Sequence, residues 1–396
     1  MASTFKRFNS NDLANTRTLL HEAIPITGSI VSGTYTNTGK TTEENYKTYG
    51  HGMFKSVYDY PFLSSSANHI FDITAGYSSL AGISSSVTSQ AAKKQNIYNQ
   101  MAQYLVGYDD TGSIKRFSMP VGHAGGGSAE APGSFMDDVI IIPFARLLSK
   151  DEIKKGSVSL EFGLSGAFST DGNAFGIRGK LFDYSGSDGY FVDSPAGEYG
   201  VLYGTGTANG SDGNGVFNGD SGTTSTMPAV GLVYYQAGVA VVSGSLFSAV
   251  ADGGVLKAFA STGHNTHGPG SCALVGTGTS TVKSGFSTIT GSTIDTFTDG
   301  VLNRIFNISY NNTTELNSTI YFCRASHADF NYSANPTYLS GSEIRVKTRP
   351  SDTPVSYITT VGLYSADNEL LAVAKLSEPL RKDPTNELTL RVRLDY

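Results

Sequence analysis

The chain has 396 residues, 39% of them hydrophobic and 46 of them glycine, which is enough apolar material for a sizeable core and a length for two or three domains. Charged residues make up 16%, against roughly 25% in an ordinary soluble domain, which excludes a coiled coil, a long charged surface helix and a charge-driven disordered chain. The formal net charge is −6, which argues against a basic surface that wraps nucleic acid.

The elements follow in chain order. Residues 11–23 read as a helix with Pro25 beyond it. Residues 89–106 read as a second helix, because Ile97, Met101, Tyr104 and Leu105 fall on one face. Ser89 can cap its start, and Gly107 can end it in a left-handed conformation. Residues 138–144 (DVIIIPF) predict a buried strand. In residues 157–162 the apolar Val158, Leu160 and Phe162 alternate with Ser157, Ser159 and Glu161, which predicts a half-buried strand.

Residues 181–300 have an unusual composition. They hold Lys257 and Lys283 as their only cations against nine acids, and 54 of the 120 residues are Gly, Ser or Thr. A flexible linker would have that composition. The runs at residues 201–203, 230–235 and 239–242 argue instead for short β-strands between tight turns.

Strands are also expected at residues 305–310, 318–323 and 343–347. Residues 355–364 and 369–376 read as a hairpin across Ser365-Ala366-Asp367-Asn368, and residues 387–395 alternate as a last strand. Leu363, Leu371, Val373 and Leu390 are the expected core of one shared sheet. Six strands in under a hundred residues suggest a β-sandwich. The expected class is mainly β, with a mixed α+β region over 1–155, a Gly/Ser/Thr-rich β region over 156–300 and a β-sandwich-like attachment domain over 301–396. Balanced charge marks the last as autonomous. The low charge of residues 181–300 suggests that other chains cover them and that the protein self-associates.

No constellation carries chemistry. Gly33 to Thr41 is close to a phosphate loop, but five residues separate Gly33 from Gly39 where four are needed. Gly219-Asp220-Ser221-Gly222 has the look of a serine-protease nucleophile segment. None of the upstream histidines, His21, His51, His69 and His123, has the sequence context of its base. His264, His267 and Cys272 have ligand chemistry for zinc in a Gly/Pro loop, without a convincing further ligand. The acids of the middle region stand singly, as in Asp-Gly turns, and not as the carboxylate pair of a glycosidase. No catalytic, cofactor-binding or metal residue is therefore expected. Two cysteines, Cys272 and Cys323, form no disulfide framework. The Asn-x-Ser/Thr triplets at Asn307, Asn311, Asn312, Asn317 and Asn331 read as strand and turn residues. The beginning has no apolar stretch of signal-peptide type and there is no run of 18 apolar residues, so synthesis in a cytoplasm and no membrane partner are expected.

Residues 357–364 (YITTVGLY) and 368–376 (NELLAVAKL) resemble a segment of tail and fibre-collar proteins of tailed bacteriophages. There a strand ending in Gly-Leu-Tyr meets an acidic turn and a strand close to Glu-Leu-Leu-Ala-Val. Residues 391–396 (RVRLDY) look like the strand that ends such proteins. Residues 19–27 and 52–74 are similar to virion structural proteins of large contractile-tailed phages of marine cyanobacterial type. The resemblance implies a non-enzymatic part of a virion, in the tail, baseplate or neck. It implies other virion structural proteins as partners, a homo-oligomer and no cofactor. The alternative is a fibre or spike that binds host surface glycans, and after that a glycan hydrolase.

Overall fold

The computed structural model describes residues 5–27, 45–81, 90–120, 133–165, 177–184, 189–208, 227–247, 289, 291–302, 305–333, 336–341, 343–345, 349 and 351–395. The fold is mainly β. The chain divides into two compact units, a terminal unit of residues 1–20 and 315–396 and a middle unit of residues 21–314.

In chain order, the strands up to the first long helix are β1 (Leu13–Thr27), β2 (Tyr46–Thr48), β3 (Lys55–Tyr58) and β4 (His69–Tyr77). Helix α1 (Ala91–Leu105) follows, then β5 (Asp138–Pro143), a helical turn at Arg146–Ser149, β6 (Glu152–Ile153), β7 (Ser159–Ser165) and β8 (Ile177–Asp183). Next come β9 (Phe191–Ser194), β10 (Gly197–Ala208), β11 (Ala229–Tyr234) and β12 (Val239–Ser243), then helix α2 (Ile294–Leu302) and the long β13 (Ile305–Ala325). The last strands are β14 (Leu339–Ser340), β15 (Glu343–Ile344), β16 (Ser356–Tyr364), β17 (Leu370–Lys382) and β18 (Leu388–Asp395).

The middle unit is built on one antiparallel sheet in the order β13-β7-β8-β10-β11-β12-β5-β4-β3-β2. Its central strands are buried throughout. Every residue of β11 and β12 is buried, and so is β5 except at Pro143. Alternate side chains feed two separate apolar layers. Ile140, Ile142, Ala240 and Val242 belong to one, and Val139, Ile141, Val239 and Val241 to the other. Helix α1 fills the second layer with Ile97, Tyr98, Ala102 and Leu105, and α2 fills the first with Phe297, Val301 and Leu302. Each fully buried aliphatic or aromatic side chain stabilises by about 1.5–3 kcal/mol.

Gly76 sets the distance between α1 and β4. A Cβ there would lie 2.7 Å from the Lys94 carbonyl and 2.9 Å from the Tyr98 amide. At the other end of α1, Gly107 has φ +88° and its amide donates to the Ala102 carbonyl at 3.0 Å, so the expected left-handed stop is present. Ser89, the expected cap, lies outside the described residues.

Three expectations are corrected. The first concerns residues 11–23, which are not helical: β1 runs through them after a single 3-10 turn. Tertiary pairing overrides local propensity there, because β1 is bonded alongside β13. Side chains reinforce the pairing: Thr319 donates to Asn15 at 2.8 Å, and His21 bonds Thr313 at 3.0 Å. Pro25 is accommodated because β1 is an edge strand.

Second, residues 305–310 and 318–323 are parts of one strand of 21 residues and not two strands. Its first half serves the middle unit through β7, and its second half serves the terminal unit through β18. Third, the hairpin and the last strand do not share a sheet. β16 and β17 form a two-stranded sheet of their own, while β18 pairs with β13. Of the four expected core residues Leu363 is buried and Leu390 half-buried, but Leu371 is 68% exposed and Val373 52%.

Candidate functional site

Three places in the described structure bring chemically useful groups together, and each is built by identifiable local packing.

The first is a cleft of about 250 Å³ in the middle unit, at the C-terminal end of α1. One wall is a pair of extended segments, in which the Met136 amide donates to the Phe117 carbonyl at 2.8 Å and the Met119 amide to the Ser134 carbonyl at 2.9 Å. Tyr98 of α1 pins this wall: its hydroxyl donates to the Met136 carbonyl at 2.8 Å and accepts from the Phe117 amide at 3.0 Å. Burial pushes the Tyr98 phenol up, so it stays a neutral donor. Tyr199, Leu232, Tyr234, Asp193 and Ser194 also line it.

The Tyr199 ring lies between Phe191, at 5.6 Å and 27°, and Tyr234, at 5.2 Å and 29°. Its hydroxyl donates to the Asp193 carboxylate at 2.7 Å. Burial first, and that carboxylate second, push the phenol up. Both faces of Tyr199 are therefore covered, which removes the platform on which a pyranose ring would stack. Asp193 is the only carboxylate among the described residues that line the cleft, and it already accepts the Tyr199 hydroxyl. Hydrolysis between two carboxylates needs a second one about 5–10 Å away.

The second place is a row of polar groups on β3 and β4. Ser56 and Asp72 are register partners, and the Ser56 hydroxyl donates to Asp72 Oδ1 at 2.6 Å. His69 Nε2 lies 2.9 Å from the same oxygen. The carboxylate thus sits between hydroxyl and imidazole. A hydroxyl nucleophile needs the imidazole in the middle, so that the ring can take its proton. Here Asp72 holds both partners in place, and its bond raises the His69 pKa.

The third place is the surface of the terminal unit. Among its described residues, Ala325 and Leu363 are the only buried hydrophobic side chains, whereas the middle unit contains both apolar layers. Twelve of the twenty-one exposed large hydrophobic side chains among the described residues belong to this smaller unit, Tyr357, Leu370, Leu371 and Val373 among them. Polar ties hold its turns instead. The buried Lys382 ammonium donates to Asn331 Oδ1 at 2.7 Å and to the Asp383 carbonyl at 2.9 Å. Asp329 accepts Lys6 and Ser326, which pulls its carboxyl down to about 2.

The residues singled out in the sequence fall as follows. Gly33 to Thr41, Gly219 to Gly222 with Ser221, His123, and His264, His267 and Cys272 lie outside the described residues. His51 is exposed and stacks on Tyr49 at 5.3 Å, while the upstream His21 is bonded to Thr313. Cys323 is a half-buried free thiol whose pKa burial raises. Asn312 is buried and donates to the Leu148 carbonyl at 2.9 Å, a strand residue as expected. Among the described residues no group of three or more His, Cys, Asp or Glu could hold a metal ion. No helix among them is long and apolar enough to cross a membrane.

Sequence reasoning missed that the described residues of the terminal unit bury only two hydrophobic side chains. The alternation of β17 gives a strand two faces but does not say whether this chain covers either. The chain matches no family model, no curated protein and no solved structure.

Proposed function

We propose that the chain is a non-enzymatic structural component of a tailed-phage particle, in the tail, baseplate or neck, and that it works through protein–protein contacts. One observation carries the reading. The terminal unit has two buried hydrophobic residues and twelve exposed large ones among its described residues. A unit of that size would normally derive its stability from an apolar interior of its own. Strands with apolar side chains facing water gain that burial when other chains cover them, as assembly interfaces do. The segments that resemble tail and fibre-collar proteins, residues 357–364 and 368–376, lie in this unit.

The middle unit, by contrast, has an apolar interior of its own. Its sheet is covered on both faces by its own side chains and helices. The glycan-binding alternative gains nothing from the cleft, where Phe191 and Tyr234 already occupy both faces of Tyr199. An electron-microscopy map of purified particles tests the proposal. The chain is expected there in regular copies, with Leu370, Leu371 and Val373 covered by neighbouring chains. Absence of the chain from the particle, or those residues left facing solvent in it, would overturn the reading.

A further inference from the structure

The hairpin has two unlike edges. β17 carries Lys375, Glu378, Pro379, Arg381 and Lys382, the charged residues and proline that keep an edge strand from pairing. It also bulges: between the pairs Ile358↔Leu380 and Thr360↔Lys375 it holds four residues against one on β16. β16 reads SYITTVGLY, nine residues without a charge or a proline. Tyr357, Thr359, Thr360, Gly362 and Tyr364 are exposed along it. Among the described residues no strand pairs with its outer edge. The Tyr364 ring lies beside Gly362, where an added Cβ would come within 3.0 Å of it. A two-stranded hairpin is marginal in water, whereas three or more strands hold.

We propose that the outer edge of β16 is a homodimer seam, pairing antiparallel with the β16 of a second copy about a two-fold axis. Antiparallel pairing is itself two-fold symmetric, so one strand can serve as both halves of an isologous contact. The charge pattern selects a second copy over an unlike partner. At a two-fold seam every charge faces a like charge near the axis, and like charges directly opposite are destabilising. β16 has none to place there; the strand charges of the hairpin lie on β17, which becomes the outer strand of a four-stranded sheet, and Asp367 and Glu369 lie in the turn at the end of the seam. Thr360 is the midpoint of β16 and faces its own copy in the register that pairs the whole strand.

This goes beyond the phage reading and stands on the strand alone. The test is sedimentation of the purified full chain, with Thr360→Glu and Thr360→Gln beside it. Within the hairpin Thr360 is the register partner of Lys375, so the glutamate is compatible with β17 and opposes only its own copy. The wild type and Thr360→Gln are expected as dimers, and Thr360→Glu at half the molar mass with an unchanged circular dichroism spectrum. In parallel, hydrogen exchange of wild-type β16 amides is expected to slow as protein concentration rises, while β2 amides do not respond. A monomeric wild type, a dimer that survives Thr360→Glu, or β16 exchange independent of concentration would overturn the proposal. If the wild type is monomeric but the chain is found in the particle, the seam fails and the structural role stands. If the protein dimerises through β16 but is absent from particles, the seam stands and the structural role fails.

Discussion

Lys94 is fully buried on α1, and its ammonium donates to the carbonyls of Ile289 and of Ser292 just ahead of α2. Desolvation pulls its pKa from 10.5 to about 8. A lysine whose folded pKa is depressed binds fewer protons folded than unfolded between those two values. Folding stability must therefore rise with pH across that window, because the cost of the buried charge is present in full below pH 8 and is gone above 10.5. The full shift corresponds to about 3.4 kcal/mol, at 1.36 kcal/mol for each pH unit. From about pH 7 to about pH 9.5 the linkage relation recovers at most about 2 kcal/mol of it. Lys94→Met keeps the stem and removes the titration. Urea denaturation of wild type and variant at both pH values should show the wild type gaining up to about 2 kcal/mol relative to the variant. Equal pH dependence in the two proteins, or a wild-type loss relative to the variant, would refute the reasoning. At neutral pH the variant also loses two charge-assisted bonds, each worth about 1.5–3 kcal/mol, so its absolute stability does not rise by the whole desolvation cost.

Three further outcomes follow from named contacts. Gly76→Ala forces the α1 backbone away from β4, because the new methyl would lie 2.7 Å from the Lys94 carbonyl; a loss of about 1–3 kcal/mol in urea denaturation is expected, and an unchanged midpoint contradicts the packing. Leu371→Asp, at a position 68% exposed, should leave the chain folded and within about 0.5 kcal/mol of wild type by the same assay; unfolding would place Leu371 in a core after all. The Asp72 bond raises the pKa of His69, so its stabilisation is complete below pH 6.5 and is lost as pH rises through the raised folded value. Between about pH 5.5 and about pH 8 the wild type should lose up to about 1 kcal/mol relative to Asp72→Asn in thermal denaturation, a small effect because both groups are partly exposed.

The middle unit was the most legible part of the chain. The runs at 138–144, 201–203, 230–235 and 239–242 all appear as buried strands, because a strand covered on both faces by its own chain writes a continuous apolar run. Helix α1 was legible from Ile97, Met101 and Leu105 and from Gly107, although Tyr104, expected on the same face, is exposed and Tyr98 and Ala102 are buried instead. Residues 11–23 misled because the deciding interaction, pairing with a strand some 300 residues later, leaves no local pattern. Long-range pairing also hid the continuity of β13, whose interior Asn311-Asn312-Thr313-Thr314 looks like a turn but continues the ladder: Asn312 and Thr313 pair with β6. In the row of Ser56, Asp72 and His69 only the Ser56–Asp72 pairing depends on strand register, across 16 residues; His69 and Asp72 are three residues apart on β4, and nothing in the local pattern singles them out.

Charge alone does not separate burial within the chain from cover by other chains. The scarcity of Lys and Glu in residues 181–300 suggested a region covered by other chains, and the balanced charge of residues 301–396 suggested independence. Low charge, however, follows from burial of any origin. In β11 and β12 the cover is α1, β5 and the neighbouring strands of the same chain, which explains their lack of charge without a partner. In the terminal unit the charges are real but peripheral: Arg391 and Arg393 stand on the exposed face of β18, and Lys375 and Arg381 along β17. They raise solubility while Tyr357, Leu370, Leu371 and Val373 still face water between them. An interface core lacks charge and its rim carries it. The seam proposed at β16, with the charges of β17 beside it, has that pattern, whereas β11 and β12 are buried by their own chain. The proposed reading therefore rests on apolar exposure beside few buried hydrophobic residues, and that becomes visible only once the strands have been assigned to their sheets.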